Sequence, residues 1–226
     1  MEQKHVQEAI KQARENSKKR NFSQTFDLVV SLKDFDLSKP ENKVKEEVVL
    51  PAGRGKPVRI GAIAEGELAE NAKKSGIEII VSKADLQKLQ DDKKSAKKLV
   101  NQVDVFIASP DLMADIGKTL GPLLGPRDKM PKPLPPTAPL EAFIQRTHKV
   151  VNVRTRDQPI IQCLVGTEAM KDEEICQNLM AVLTVLENKL PKGLGNIKAA
   201  YVKLTMGKPA LIGGSKIKAD SKGGKE

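Results

Sequence analysis

The sequence predicts two domains of different class: a parallel α/β domain inserted into an α+β domain that both chain ends build together. Three observations carry this. Apolar strands alternate with amphipathic helices through residues 57–150. Residues 1–56 and 151–226 instead share a strand-rich pattern of period two. Neither flank holds enough elements to bury a core by itself, so the two are expected to fold as one body.

The elements follow in order. Residues 2–17 read as an amphipathic helix, with Val6, Ala9, Ile10 and Ala13 on one face and Lys4, Glu8, Lys11 and Glu15 facing water. In KKRNFSQTFDLVVSL, Phe26, Leu28, Val30 and Leu32 alternate with Thr25, Asp27, Val29 and Ser31, which is a strand with one dry face. DLSKPEN is a loop, KEEVVLP a short strand and AGRGKP a turn carrying two cations. At residue 58 the rhythm changes. VRIGAIA, IEIIV and VDVFIAS are continuous apolar strands, as a parallel sheet covered on both faces requires. EGELAENAKKSG, ADLQKLQ, KKSAKKLVNQ, PDLMADIGKTL and PLEAFIQRTHK are helical.

From residue 151 the first pattern resumes. VVNVRTR and QPIIQCLVG are strands. DEEICQNLMAVLTVLENKL is a strong helix with Ile175, Leu179, Val182, Leu183, Leu186 and Leu190 on one stripe. Asp172, Glu173 and Glu174 stand in its first turn, where the helix dipole favours acids. AAYVKLTMG is the closing strand, and the tail GGSKIKADSKGGKE has the composition of a disordered segment. Two crossings between the domains, near 57 and 151, make a natural hinge.

The formal charge is +10, from 39 basic and 29 acidic residues, which points to a polyanionic partner, nucleic acid before membrane. The surplus does not locate a site. Residues 1–56 carry 12 basic and 9 acidic side chains, residues 57–150 carry 15 and 12, and residues 151–226 carry 12 and 8. With no Trp, one Tyr and five Phe, successive stacking of bases on rings is not the expected mode. Contacts to backbone, ribose and shape are. Cys163 and Cys176 form neither a disulfide framework nor a zinc spacing, so no metal and no cofactor are expected. No apolar run approaches the ~18 residues of a membrane span and the opening residues are too polar for a signal peptide, so a cytoplasmic protein is expected.

Several motifs invite an enzyme reading and fail it. GAIAEGE lacks the glycine spacing of a dinucleotide turn. Gly117-Lys118-Thr119 has the tail of a phosphate loop, but Leu112 stands where the opening glycine belongs, and the tripeptide lies inside a predicted helix. His5 and His148 read as surface residues, and Asp91–Asp92 and Glu173–Glu174 as solvated helix faces. LGPLLGPRDKMPKPLPP is basic and stiffened by proline. It reads either as a rigid loop capping the sheet or as a contact for RNA or protein.

LGPRDKMPKP and YVKLTMGKP, with KPENKVKEEVVLPAGRGK between the first two strands and the inserted domain, carry a resemblance. The chain resembles the ribosomal protein L-one family, the stalk protein of the large ribosomal subunit, and within it the archaeal branch, over about residues 4–212. The resemblance implies a split RNA-binding domain, residues 1–56 and 151–226, and an inserted Rossmann-like domain, residues 57–150, that binds no dinucleotide. It implies no enzymatic activity. The implied partners are the stalk helices of large-subunit ribosomal RNA, the exit-site tRNA whose release the stalk assists, and the protein's own mRNA, whose translation members repress. A free chain is expected to be monomeric.

By the same resemblance the RNA surface lies on the split domain. Its F-x-x-T element falls on Phe22 and Thr25, and its T-M-G element on Thr205, Met206 and Gly207. Arg20, Lys203, Arg156 and Gly166 complete the expected set. A lysine common in the family before the phenylalanine is Asn21 here, and a serine of bacterial members is Ala199. In AYVKLTMG the alternation puts Ala200, Val202, Leu204 and Met206 on one side of the strand and Tyr201, Lys203 and Thr205 on the other. Lys203 suits a phosphate, the Thr205 hydroxyl a ribose 2′-OH, and Met206 a sugar or base edge. Gly207 is expected to let the RNA backbone come close.

Overall fold

The computed structural model describes residues 3–35, 43–135 and 139–213. The predicted loop at 36–42 and the tail from 214 onward lie outside them. The chain divides into two compact units, Met1–Lys56 with Lys149–Glu226, and Pro57–His148.

The terminal unit is built on a four-stranded antiparallel sheet. Its strands are β1 (Thr25–Leu32), β8 (Ile160–Thr167), β9 (Ile197–Leu204) and β10 (Ala210–Ile212), in the order β10-β9-β1-β8. The alternation read in TFDLVVSL is the burial observed: every second residue of β1 is buried. Helix α1 (Gln3–Glu15) and helix α8 (Asp172–Lys189) cover the inner face, with Val6, Ile10, Leu179, Val182 and Leu186 fully buried against Phe26, Leu28 and Val30. β2 (Lys45–Val49) pairs antiparallel with β7 (Val150–Arg154) in a separate two-stranded ribbon. Ala210–Ile212, which the sequence reading assigned to no element, form the edge strand β10. It pairs through Ala210–Ile212 with Ala200–Val202.

Three features fix the end of this sheet where β1 begins. The ladder between β1 and β8 slips between Phe26 and Asp27, which leaves Val165 as the extra residue of a β-bulge. Asn178, fully buried on α8, donates through Nδ2 to Val165 O and Gly53 O, both at 2.8 Å, and accepts from Ala52 N–H at 3.0 Å. Arg14 lies 5.0 Å above the Phe26 ring and donates to Asp172 Oδ1, Glu168 O and Met170 O. The turn after β2 is drawn in equally closely. Gly55 has φ +67°, and a Cβ there would stand 2.5 Å from Met170 Sδ and 2.6 Å from Thr167 Oγ1.

The inserted unit is a parallel sheet in the order β4-β3-β5-β6, formed by β3 (Ile60–Ile63), β4 (Ile79–Val81), β5 (Val105–Ala108) and β6 (Lys132–Pro133). α2 (Glu67–Lys74) and α7 (Leu140–Lys149) contribute to one core with Ala62 and Ile107. α3 (Lys83–Asp91), α4 (Lys93–Gln102), α5 (Met113–Thr119) and α6 (Gly121–Leu124) contribute to the other with Ile63 and Phe106. Both faces are thus covered. Gly117-Lys118-Thr119 lies inside α5, away from any strand–helix turn. The proline-rich segment is more ordered than a loop: it supplies α6 and the edge strand β6, where Pro133 costs little because an edge needs no second ladder.

Cys163 and Cys176 are buried free thiols. Burial, aided by the Asp27 charge, pushes the Cys163 thiol up to about 12, and burial also raises Cys176. At pH 8 the Cys163 thiolate is therefore about a thousandfold scarcer than in an unfolded chain. Native protein is expected to resist iodoacetamide at pH 8 and to be alkylated at both sites in urea, which mass spectrometry checks. Rapid native labelling of Cys163 would contradict its burial.

Candidate nucleic-acid interface

The site is assembled where β9 stops. The strand ends at Leu204, and Gly207 N–H closes a turn by donating to Leu204 O at 2.9 Å. This takes Met206 off the buried side of the strand. Its side chain is 60% exposed, whereas Ala200, Val202 and Leu204 are buried as the alternation requires. Phe22, in the segment between α1 and β1, is 51% exposed. These are among the few large apolar side chains of the described residues that face water.

Thr25 and Thr205 meet across 180 residues of sequence. Thr25 N–H donates to Thr205 Oγ1 at 3.0 Å, Thr205 N–H donates to Thr25 O at 3.1 Å, and the two hydroxyl oxygens stand 3.0 Å apart. Thr25 Oγ1 also donates to Asp27 Oδ1 at 3.5 Å. An ionised carboxylate only accepts, so the Thr25 hydroxyl gives its proton to Asp27, while the Thr205 hydroxyl can donate to Thr25 Oγ1 or to Thr25 O at 3.4 Å. Either way each hydroxyl keeps a lone pair for an incoming donor. Asp27 faces Lys203 across the β1–β9 ladder. Burial raises the Asp27 pKa, while the Lys203 charge and the Thr25 hydroxyl pull it back down.

Gln24 is the hub that composition and pattern did not single out. It is fully buried, its Oε1 accepts from Met206 N–H at 3.2 Å, and its Nε2 donates to Ser17 Oγ at 3.2 Å and Lys18 O at 3.4 Å. Its backbone exchanges bonds with Glu168: Gln24 N–H donates to Oε2 at 3.3 Å, and Glu168 N–H donates to Gln24 O at 2.9 Å. One amide therefore ties together the end of α1, the start of β1, the β8–α8 turn and the Met206 turn. The available signal was its place between Phe22 and Thr25 in NFSQT, a polar residue flanked by two candidates.

The expected residues divide. Phe22, Thr25, Thr205, Met206 and Gly207 belong to this end of the sheet, with Lys203 two pairs further in and Arg20, Lys18, Lys19 and Lys208 exposed around it. Two of the expected residues lie apart from this group. Arg156 lies before the start of β8, whereas Thr25 pairs with Thr167 at that strand's far end, on the order of 20 Å away. Gly166 is buried beside the bulge, where a Cβ would stand 3.2 Å from Met170 Sδ and 3.3 Å from Ile175. It shapes the sheet from inside and offers no outer surface. At Gly207 the surroundings are close-packed. A Cβ there would lie 3.3 Å from both Leu204 Cβ and Ser17 Cβ, so the missing side chain makes room for the end of α1.

A split α+β unit, with a parallel α/β unit inserted in it, carries at one end of its sheet exposed hydroxyl, thioether and phenyl groups. A family model described as Ribosomal protein L1p/L10e family matches residues 11–208. The chain belongs to that family. It is 50% identical over 202 residues to the large ribosomal subunit protein uL1 of Methanobrevibacter smithii, covering 89% of this chain and 95% of the relative. It is 49% identical over 212 residues to that of Methanothermococcus thermolithotrophicus (94% and 99% covered) and 47% identical over 205 residues to that of Methanothermobacter thermautotrophicus (91% and 97%). These relatives are archaeal, as the resemblance implied. No helix among the described residues is long and apolar enough to cross a membrane.

Proposed function

We propose that this protein is a structural constituent of the large ribosomal subunit, and that its terminal unit docks on the stalk helices of the ribosomal RNA beside the tRNA exit site. In this reading the protein assists release of deacylated tRNA and represses translation by binding its own mRNA at a copy of the same RNA shape. It works in the cytoplasm and is a monomer when free. The observation that carries the reading is the exposed Met206 beside the Thr25–Thr205 hydroxyl pair, held by the buried Gln24. Prepaid ordering of this kind favours binding, because little side-chain entropy remains to be lost. Hydroxyl lone pairs aimed outward suit ribose 2′-OH donors, a contact that distinguishes RNA from DNA. The flanking Arg20, Lys203 and Lys208 supply the salt-dependent phosphate attraction.

The test is recovery of RNA bound to the full chain in cells of an archaeon, followed by sequencing. Stalk-region ribosomal RNA and the protein's own message are expected to be enriched, and a Thr205→Val, Met206→Asp double variant to lose both. An even spread over cellular RNA, identical for the two proteins, would refute the reading.

A further inference from the structure

We propose that helix α4 of the inserted unit is a second, sequence-independent contact for RNA backbone. It deepens the RNA-binding reading above but rests on residues that share nothing with the Thr25–Met206 surface. The inserted unit, residues 57–148, is almost neutral, with 14 basic and 12 acidic residues. Its charge is nevertheless gathered. Lys93, Lys94, Lys97 and Lys98 are all exposed in the first six residues of α4, and its first turn contains no acid. The N-cap Asp92 is the neighbouring countercharge, and its oxygens are occupied by Lys94 N–H, Ser95 N–H and the Ser95 hydroxyl. Among the described residues none of the four ammonium groups forms a salt bridge, whereas Lys83 and Lys88 nearby do.

Apart from the attraction between Lys98 and the Asp92 carboxylate, folding offers no reason for this arrangement. Lysines in a first turn oppose the helix dipole, and the pairs Lys93–Lys97 and Lys94–Lys98 are like charges one turn apart. A local rule broken without a compensating contact is what a functional surface looks like. The cations at the other end of α4 are different, because they cap it. Lys129 Nζ donates to Val100 O at 2.9 Å and to Val103 O, Arg59 donates to Asn101 O at 3.4 Å, and Arg127 donates to the Asn101 side chain. Arg59 is also paired with Asp104. Together the two groups extend positive charge along the helix, about 15 Å at ~1.5 Å per residue.

The chemistry selects the partner. A membrane surface would need a free apolar face, but Ala96 and Val100 are spent in the unit's own core. An acidic protein would need an anchor side chain, and the outward face offers only lysine, Ser95, Asn101 and Gln102. A phosphodiester backbone needs neither.

The test compares the full chain with a Lys93→Gln, Lys94→Gln, Lys97→Gln, Lys98→Gln variant, using an arbitrary RNA duplex as probe. The slope of log affinity against log salt should become shallower by about 3, four phosphates at ~0.7–0.9 each, and affinity at low salt should fall about tenfold or more. The melting temperature should hold or rise, since repulsion is removed, and a fourfold Lys→Arg variant should keep the wild-type slope. The same measurements in a Met206→Asp background separate the two surfaces. If the terminal surface is misassigned, Met206→Asp is silent toward stalk RNA while the lysine effect persists. An unchanged salt slope in the four-Gln variant overturns the α4 contact. So does loss of binding to phosphatidylserine vesicles with the RNA slope intact.

Discussion

Met206→Asp is expected to weaken binding of stalk RNA by about 100-fold, equivalent to about 2.8 kcal/mol, while the protein stays folded. The side chain is 60% exposed and its backbone N–H is held by Gln24 whatever the side chain is. A carboxylate there touches no core atom, so the melting temperature should move little, as surface substitutions do. Its effect falls on the partner. It replaces a pliable apolar surface by a negative charge facing phosphates. Gel shifts with a stalk RNA fragment measure the first outcome and a thermal melt the second. Met206→Leu should retain most of the affinity, since shape and polarity are kept. Equal affinity for Met206→Asp and wild type would remove Met206 from the interface.

Asn178→Leu should destabilise the terminal unit by about 3 kcal/mol, because three buried backbone groups lose their partner and each costs ~1–3 kcal/mol unsatisfied. Those groups are Ala52 N–H, Gly53 O and Val165 O. A chain of this size should then melt about 6–12 °C lower. Leu has the same number of side-chain heavy atoms and is larger than Asn, so no cavity opens, and the experiment reads lost polar satisfaction with some overpacking. Calorimetry should show the shift in the transition of the terminal unit and leave that of the inserted unit in place. A shift under about 1 °C would mean that water replaces the amide at no cost.

Much of this fold was legible because period and burial agree. Every residue read on the stripes of α1 and α8 and on the dry face of β1 is buried, and α8 buries Cys176 and Asn178 besides. The continuous apolar strands of the inserted unit were rightly read as parallel and doubly covered. What escaped was short or local. β6 and β10 have two and three residues, too few for a period to show, and β6 is hidden among prolines. At the site, residue types were legible and geometry was not. Thr25 and Thr205 were named from opposite ends of the chain, but their mutual bonds depend on the β1–β9 register. That Arg156 and Gly166 stand apart from the Thr25–Thr205 pair was not legible either, because linear proximity to a strand does not reveal which end or which side a residue occupies. Gln24 was overlooked because a buried amide leaves no mark on hydropathy.

The pairing of β1 with β9 has a consequence for the newborn chain. The first strand emerges early in synthesis, yet its neighbour spans Ile197–Leu204. Until the translating ribosome has passed that point, β1 waits with one flank open and Thr25 lacks its Thr205 partner. On the proposed reading, recognition is therefore a property of finished molecules alone, and an abandoned, truncated product is expected to be mute toward RNA at this surface.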